Sequence, residues 1–173
     1  IVQEQIDNAK SFYPEHTFIC DNIMNIGYSN QFDLVNSTGV FLHEPDYKSL
    51  LDLMIKASKK YILFDVKFAL LDNHLIDSTQ SYSQIDAFKL CYAIYSPQKF
   101  IKFLRTLKAI ENIKIFGYPT TTNSLTVVPS YVGQIYSASI LLEKNNQMVV
   151  EPVIDIEFQI ENKVYHNFEF LRS

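Results

Sequence analysis

Apolar residues recur at Val2, Ile6, Ala9 and Tyr13, at helical spacing, and predict one face of a helix that Pro14 stops. Thr17-Phe18-Ile19-Cys20 then reads as a short apolar strand, followed by a polar loop through Gly27 and Asn30. Phe32 to Ser37 predicts a second strand. A well-marked helix follows: Pro45 suits its first turn, and Glu44 and Asp46 suit the positive end of the helix dipole. Leu50, Leu51, Met54 and Ile55 form its apolar stripe, with Lys48, Asp52, Lys56 and Lys59 on the opposite side. Tyr61 to Val66 is a near-continuous apolar strand, the pattern expected when helices cover both faces of a sheet.

The stretch from Asp72 to Gln84 is polar, and Phe88 to Ile94 predicts an extended segment. Ser96 and Pro97 pair as N-cap and first-turn residue of a helix whose apolar positions include Phe100, Ile101, Leu104 and Leu107. Ile113 to Tyr118 is a further strand, Pro119 to Asn123 a turn, and Ile135 to Leu142 another strand. Val149 to Ile160 and Val164 to Phe170 form a terminal hairpin across Asn162. Short strands alternating with helices imply an α/β protein with a mainly parallel sheet, and two late strands with no helix between them imply an antiparallel finish.

Composition narrows the function classes. At 173 residues, 47% hydrophobic and 20% charged, one folded domain is expected. A net charge of -4 gives no broad basic field and so no strong nucleic-acid signal. Lys99, Lys102, Arg105 and Lys108 spiral around their helix and read as a solvated face. Phe12, Phe64, Phe88, Phe100 and Phe103 read as core rather than as stacking platforms. Cys20 and Cys91 sit in apolar runs without zinc-like spacing, so buried free thiols in a reducing compartment are expected, and no metal site. Asp65 and Lys67 interrupt the best candidate for a membrane helix, and the N-terminus lacks a signal-peptide layout. The default expectation is a cytoplasmic protein with no membrane partner.

The segment QFDLVNSTGVFLHEPDYKSLLDLMIKASKKYILFD resembles the fourth strand, following helix and fifth strand of class I S-adenosylmethionine-dependent methyltransferases. IVQEQIDNAKSFYPEHTFICDNI is similar to that family's second helix, third strand and the acidic loop after it. GYPTTTNSLTVVPSYVGQIYSASILLEK is similar to its sixth strand and reversed seventh strand. The order and spacing of these pieces carry the resemblance. It implies a Rossmann-like, mainly parallel sheet flanked by helices, with an antiparallel last strand, over residues 1–144, and residues 145–173 as a β-hairpin extension of the same domain. The family's glycine-rich cofactor turn has no counterpart: the four glycines, at 27, 39, 117 and 133, include no G-x-G. Ile1 aligns immediately after the family's ribose-binding acidic residue. The fold is therefore expected to be incomplete at its N-terminus here, the chain being part of a longer protein rather than a split protein, and the partners expected are a missing N-terminal segment or a second copy in a homo-oligomer.

The resemblance also implies a site, since ligands of open α/β sheets bind beyond the carboxyl ends of the strands. Asp21 would accept a hydrogen bond from the adenine amino group of S-adenosylmethionine, with Asn22 and Ile23 beside the ring; the plainer alternative is an aspartate capping a turn. Ile1 would pack on the adenine or ribose. Asn36, Ser37 and Thr38 would lie near the methionine part and the sulfonium, with Gly39 permitting the turn. His43 is the candidate general base, or else it only organises the loop beside Pro45. Asp65 contacts substrate or pairs with a cation such as Lys67. The loop from His74 to Tyr82 is the natural acceptor wall, with His74 and Tyr82 as substrate contacts. Methyl transfer asks mainly for an acceptor held in line with an already activated methyl group and for exclusion of water. The expected activity is methyl transfer to O or N of a small-molecule or sugar-like acceptor. The alternative is a non-catalytic methyltransferase-like partner or scaffold. A nucleotide-dependent dehydrogenase is disfavoured by the helix-free link to the last strand.

Overall fold

The computed structural model describes residues 3–25, 27–145, 149–161 and 163–166. Six strands form one sheet. β1 (Phe32–Ser37) pairs in parallel with β2 (Ser58–Phe68), and β2 pairs antiparallel with β7 (Ile135–Lys144). β7 pairs antiparallel with β5 (Ile110–Thr120), which pairs in parallel with β8 (Val153–Ile160). β9 (Lys163–His166) closes a hairpin with β8. The spatial order is β1-β2-β7-β5-β8-β9. It follows that β1, β2, β5 and β8 share one direction and only β7 and β9 oppose it. The fold is an α/β, broadly Rossmann-like sheet, mainly parallel in strand direction, with antiparallel late strands.

Three helices accompany it: α1 (Gln3–Phe12), α2 (Tyr47–Ala57) and α3 (Pro97–Leu104). α2 starts after an Asp46 cap that accepts from Ser49 N at 3.3 Å, and hydrogen bonding from the Ser49 side chain and then its backbone holds the Asp46 carboxyl below its ordinary value. Pro45 thus precedes the helix rather than entering its first turn. α3 starts at Pro97 as the sequence implies, but the Ser96 side chain makes no cap bond. Leu50, Leu51 and Met54 of α2 and Phe100 and Leu104 of α3 are buried in one core with Phe64, Val66, Ile113, Ile140 and Phe158 of the sheet. Phe41 stacks on Phe64 at 4.3 Å, and Tyr47, Tyr95 and Phe100 meet at centroid distances of 4.9–5.7 Å.

Among the described residues, only one face of the sheet is buried this way. On the other face Leu34, Phe116, Tyr118, Val153 and Val164 are exposed, and α1 buries no residue. The apolar run of β2 therefore alternates between fully buried Ile62, Phe64 and Val66 and half-buried Tyr61, Leu63 and Asp65. This corrects the expectation of helices on both faces.

Other expectations also change. Thr17 to Cys20 is not a strand among the described residues: its side chains are outside the core and it pairs with nothing. Phe12 and Phe88 are 76% and 72% exposed, and Cys20 is exposed while Cys91 is buried. The extended segment predicted from Phe88 begins with β4 (Phe88–Cys91), which belongs to a small sheet β4-β3-β6 whose other strands, β3 (Tyr82–Ile85) and β6 (Thr126–Val127), periodicity missed. The far part of the predicted second hairpin arm, including Phe168 and Phe170, lies outside the described residues.

Candidate functional site

β1 ends at Ser37 in register with Phe64, and β2 runs on to Phe68, so Asp65 to Phe68 extend past the carboxyl end of β1. The chain then turns at Gly39, whose φ of 74° is one a side chain disfavours. Gly39 N donates to Asp65 Oδ1 at 2.5 Å, so the first residue beyond that register on β2 ties down the turn leaving β1. Within the turn, Thr38 Oγ1 donates to Asn36 Oδ1 at 2.9 Å. Asp65 does not pair with Lys67, whose Nζ donates to Ser137 Oγ at 2.8 Å. Of the predicted residues, Asn36, Ser37, Thr38 and Asp65 are thus brought together.

His43 ends the following 3-10 turn, Phe41–His43. That turn is pinned from the segment after β4: Ala93 N donates to Leu42 O at 2.7 Å and Tyr95 OH to Phe41 O at 3.1 Å. Cys91 O lies 2.7 Å from His43 Nδ1. A carbonyl only accepts, so Nδ1 carries the proton of the neutral ring and Nε2 is its basic atom. Burial raises the Tyr95 hydroxyl far above its ordinary value, which keeps it a neutral donor.

His74 is held differently. Its Nδ1 accepts from Ser96 N at 3.0 Å, ahead of α3, and its Nε2 lies 3.4 Å from Tyr47 OH. Tyr47, Tyr95 and Phe100 pack around the ring. Burial, then the charges of Lys99 and Lys48, lower its pKa and keep it neutral. Tyr82 does not belong to a loop: it opens β3, opposite Cys91, with Lys89 Nζ 4.2 Å above its ring.

Asp21, Asn22 and Ile23 are elsewhere. Asp21 Oδ1 accepts from Asn22 N at 2.6 Å and from Asn25 Nδ2 at 3.0 Å, and Asn22 Oδ1 accepts from Met24 N. Ile23 lines a cavity of about 150 Å³ with Phe32, Leu53, Met54 and Ala57, against the start of β1 and the last turns of α2. Asn36 to Gly39 leave the opposite end of β1. Ile1 lies outside the described residues.

Two larger cavities, absent from the sequence reading, open at the carboxyl ends of β2 and β5. One, of about 400 Å³, is lined by Leu70 to Leu75 and Tyr131. The other, of about 340 Å³, is lined by Thr120 to Thr122, Ser130 and Gln134 among others. The tract 124–134 has no period that would mark these residues, and only the chain's return over the strand ends assembles them. Among the described residues one group has metal-ligand composition, Asp155, Glu157 and His166, with ligand atoms within 4.8 Å of one another. It is exposed on β8 and β9, where Asp155 is also in register with Lys114.

The turn after β1 offers a carboxylate and an amide oxygen, each already accepting one hydrogen bond within the turn, and this chemistry is compatible with a polar or cationic ligand group. Among the described residues no comparable set for an adenine ring lies beside this turn. No helix is long and apolar enough to cross a membrane among the described residues. No protein-family model matches the chain, and no curated protein matches it in sequence.

Proposed function

We propose that the chain carries S-adenosylmethionine-dependent methyl transfer to O or N of a small-molecule or sugar-like acceptor, at the crevice beyond β1 and β2. One observation carries the reading: the sheet order β1-β2-β7-β5, in which the reversed strand β7 is inserted between two strands that run with β1. The resemblance assigns these to the methyltransferase family's fourth, fifth, reversed seventh and sixth strands. A sequence-derived correspondence that forecasts the one reversed strand among four is supported by finding that reversal. The turn closed by Gly39 and Asp65 lies where ligands of such sheets bind.

When bound, the cofactor supplies a methyl group already activated by a sulfonium. Asn36, Ser37 and Thr38 would hold the methionine portion, and Asp65, which fixes the turn through Gly39, would supply a carboxylate charge suited to the cationic end of the cofactor. His43, with Nδ1 committed to Cys91 O, takes the acceptor proton at Nε2 when the acceptor must lose one. His74 and Tyr82 act on the acceptor side through the elements they anchor. A role for Asp21, Asn22 and Ile23 at the adenine requires their turn to leave α2 and swing to the other end of β1. Calorimetric titration of S-adenosylmethionine into the full chain tests the reading. Saturable binding that is weakened at least tenfold by Asp65→Ala supports it, and absence of binding to a folded chain refutes it.

The second reading, a non-catalytic partner module, is favoured by the self-closed Asp21 turn and by the open sheet face bearing Phe116 and Tyr118. Transfer of an isotopically labelled methyl group to any acceptor would exclude it.

A further inference from the structure

We infer that the cavity beyond β2 is a carbohydrate subsite, in which Tyr131 stacks on a pyranose ring and Asp72 and Asn73 hold its hydroxyls. As the seat of the methyl acceptor it rests on the proposed methyl transfer, whereas ring binding itself needs no cofactor.

The strongest sign is Tyr131. It sits in the 3-10 turn Ser130–Val132, whose Val132 is buried in the second core cluster with Leu75, Ile94 and Ile135. Val132 N donates to Pro129 O at 3.1 Å, and Gly133, at φ 66°, ends the turn. The backbone is therefore anchored while the neighbouring aromatic ring is held 64% exposed against the cavity. Its hydroxyl donates to Gln80 Oε1 at 3.3 Å, which orients the ring. An amphipathic ring on a rigid support gives large contact area at little conformational cost, and its apolar face matches the C–H face of a pyranose.

The polar groups opposite suit hydroxyls. Asp72 has no hydrogen-bond or ion-pair partner among the described residues, so both its oxygens are available to accept. Lys99 Nζ donates to Asn73 Oδ1, which orients that amide and leaves its Nδ2 to donate. An acceptor-only carboxylate beside an amide donor complements adjacent hydroxyls, each able to donate and accept. The same carboxylate opposes phosphate and nucleotide ligands. Leu71 and Leu75 supply apolar wall.

Size and neighbourhood agree. About 400 Å³ lies near the lower end of the roughly 300–1,000 Å³ of small-molecule sites. Ser130, the neighbour of Tyr131 in the same turn, lines the hydroxyl-bearing cavity of about 340 Å³, to which Thr121 also contributes.

Saturation-transfer NMR of the full chain with methyl α-glucopyranoside, methyl α-galactopyranoside and methyl α-rhamnopyranoside tests the inference, with glucose 6-phosphate as the anionic comparison. The expected result is transfer to ring C–H protons of at least one glycoside and little to the phosphate. Tyr131→Ala should lower that affinity roughly tenfold or more, Tyr131→Phe should retain it, and Asp72→Asn should weaken it. Tyr131 and Asp72 are exposed, so circular dichroism of the variants should match the parent. No transfer from any glycoside, or transfer unchanged in Tyr131→Ala and Asp72→Asn, overturns the inference. Glycoside binding without S-adenosylmethionine binding would refute methyl transfer and leave the subsite standing.

Discussion

Gly117→Ala is a sharp perturbation of the sheet. Gly117 on β5 is in register with Phe158 on β8, and the Phe158 ring is fully buried over it, edge-on to Tyr136 at 5.8 Å. A Cβ at position 117 would meet Phe158 Cε1, with Cζ at 2.5 Å and Cδ1 at 2.7 Å, well inside van der Waals contact. The ring has no free space to enter, because Phe158 belongs to the same core as Ile113 and Ile156. Overpacking of this kind costs about 1–3 kcal/mol. Replacing glycine returns about 0.4–1 kcal/mol through the unfolded chain. The net loss is roughly 1–2 kcal/mol, or roughly 2–8 °C in Tm for a chain of this size. Urea unfolding followed by far-ultraviolet circular dichroism measures it, and amide exchange should speed up first across Val153–Ile160. Phe158→Leu in the Gly117→Ala background should cost less than alone, a coupling above about 0.5 kcal/mol. A Gly117→Ala protein as stable as the parent, or strict additivity with Phe158→Leu, would refute the packing argument.

Three further outcomes follow from the same contacts. Lys144 Nζ donates to Asn30 Oδ1, Ile55 O and Ser58 O, capping the end of α2 from β7, so Lys144→Met should lose about 1–2 kcal/mol in the same urea assay. The His74 pKa is lowered in the folded protein, so the unfolded chain binds more protons near the ordinary value of 6.5. Its stabilising contribution is complete above that pH and fades as pH falls below it, and the loss in Tm from pH 7 to pH 5 should be smaller in His74→Gln. Asp65→Ala should free Gly39 N and lower stability by about 1 kcal/mol, whereas Asp65→Asn keeps an acceptor and should lose less.

Much of the sheet was legible because its signals are local. The stripe Leu50, Leu51, Met54 with Asp46 ahead of it marks α2, Pro97 marks α3, and apolar runs mark β1, β2, β5 and β7. What failed depends on partners distant in sequence. Thr17 to Cys20 has a strand's composition, but a strand exists only where another edge receives it. Tyr61 and Leu63 are apolar on a face that no described helix covers, so an apolar run did not report two-sided burial. β6 is only Thr126–Val127, too short for a period to register. At the site, the grouping of Asn36, Thr38 and Asp65 was within reach because β1 and β2 are parallel neighbours and the end of β1 is in register with Phe64. The contact of Gly39 with Asp65, the capture of His43 by Cys91 O and the position of Tyr131 over the loop after β2 are tertiary facts. The displacement of Asp21 to the far end of β1 has the same origin, since nothing local ties that turn to either end.

The location of cofactor binding tests the central claim most directly. In a two-dimensional amide spectrum of the full chain titrated with S-adenosylmethionine, saturable shifts centred on Asn36 to Gly39 and on Asp65 are predicted. Unmoved amides there, with the chain folded and the cofactor in millimolar excess, would contradict it, as would shifts confined to the Ile23 and Phe32 region.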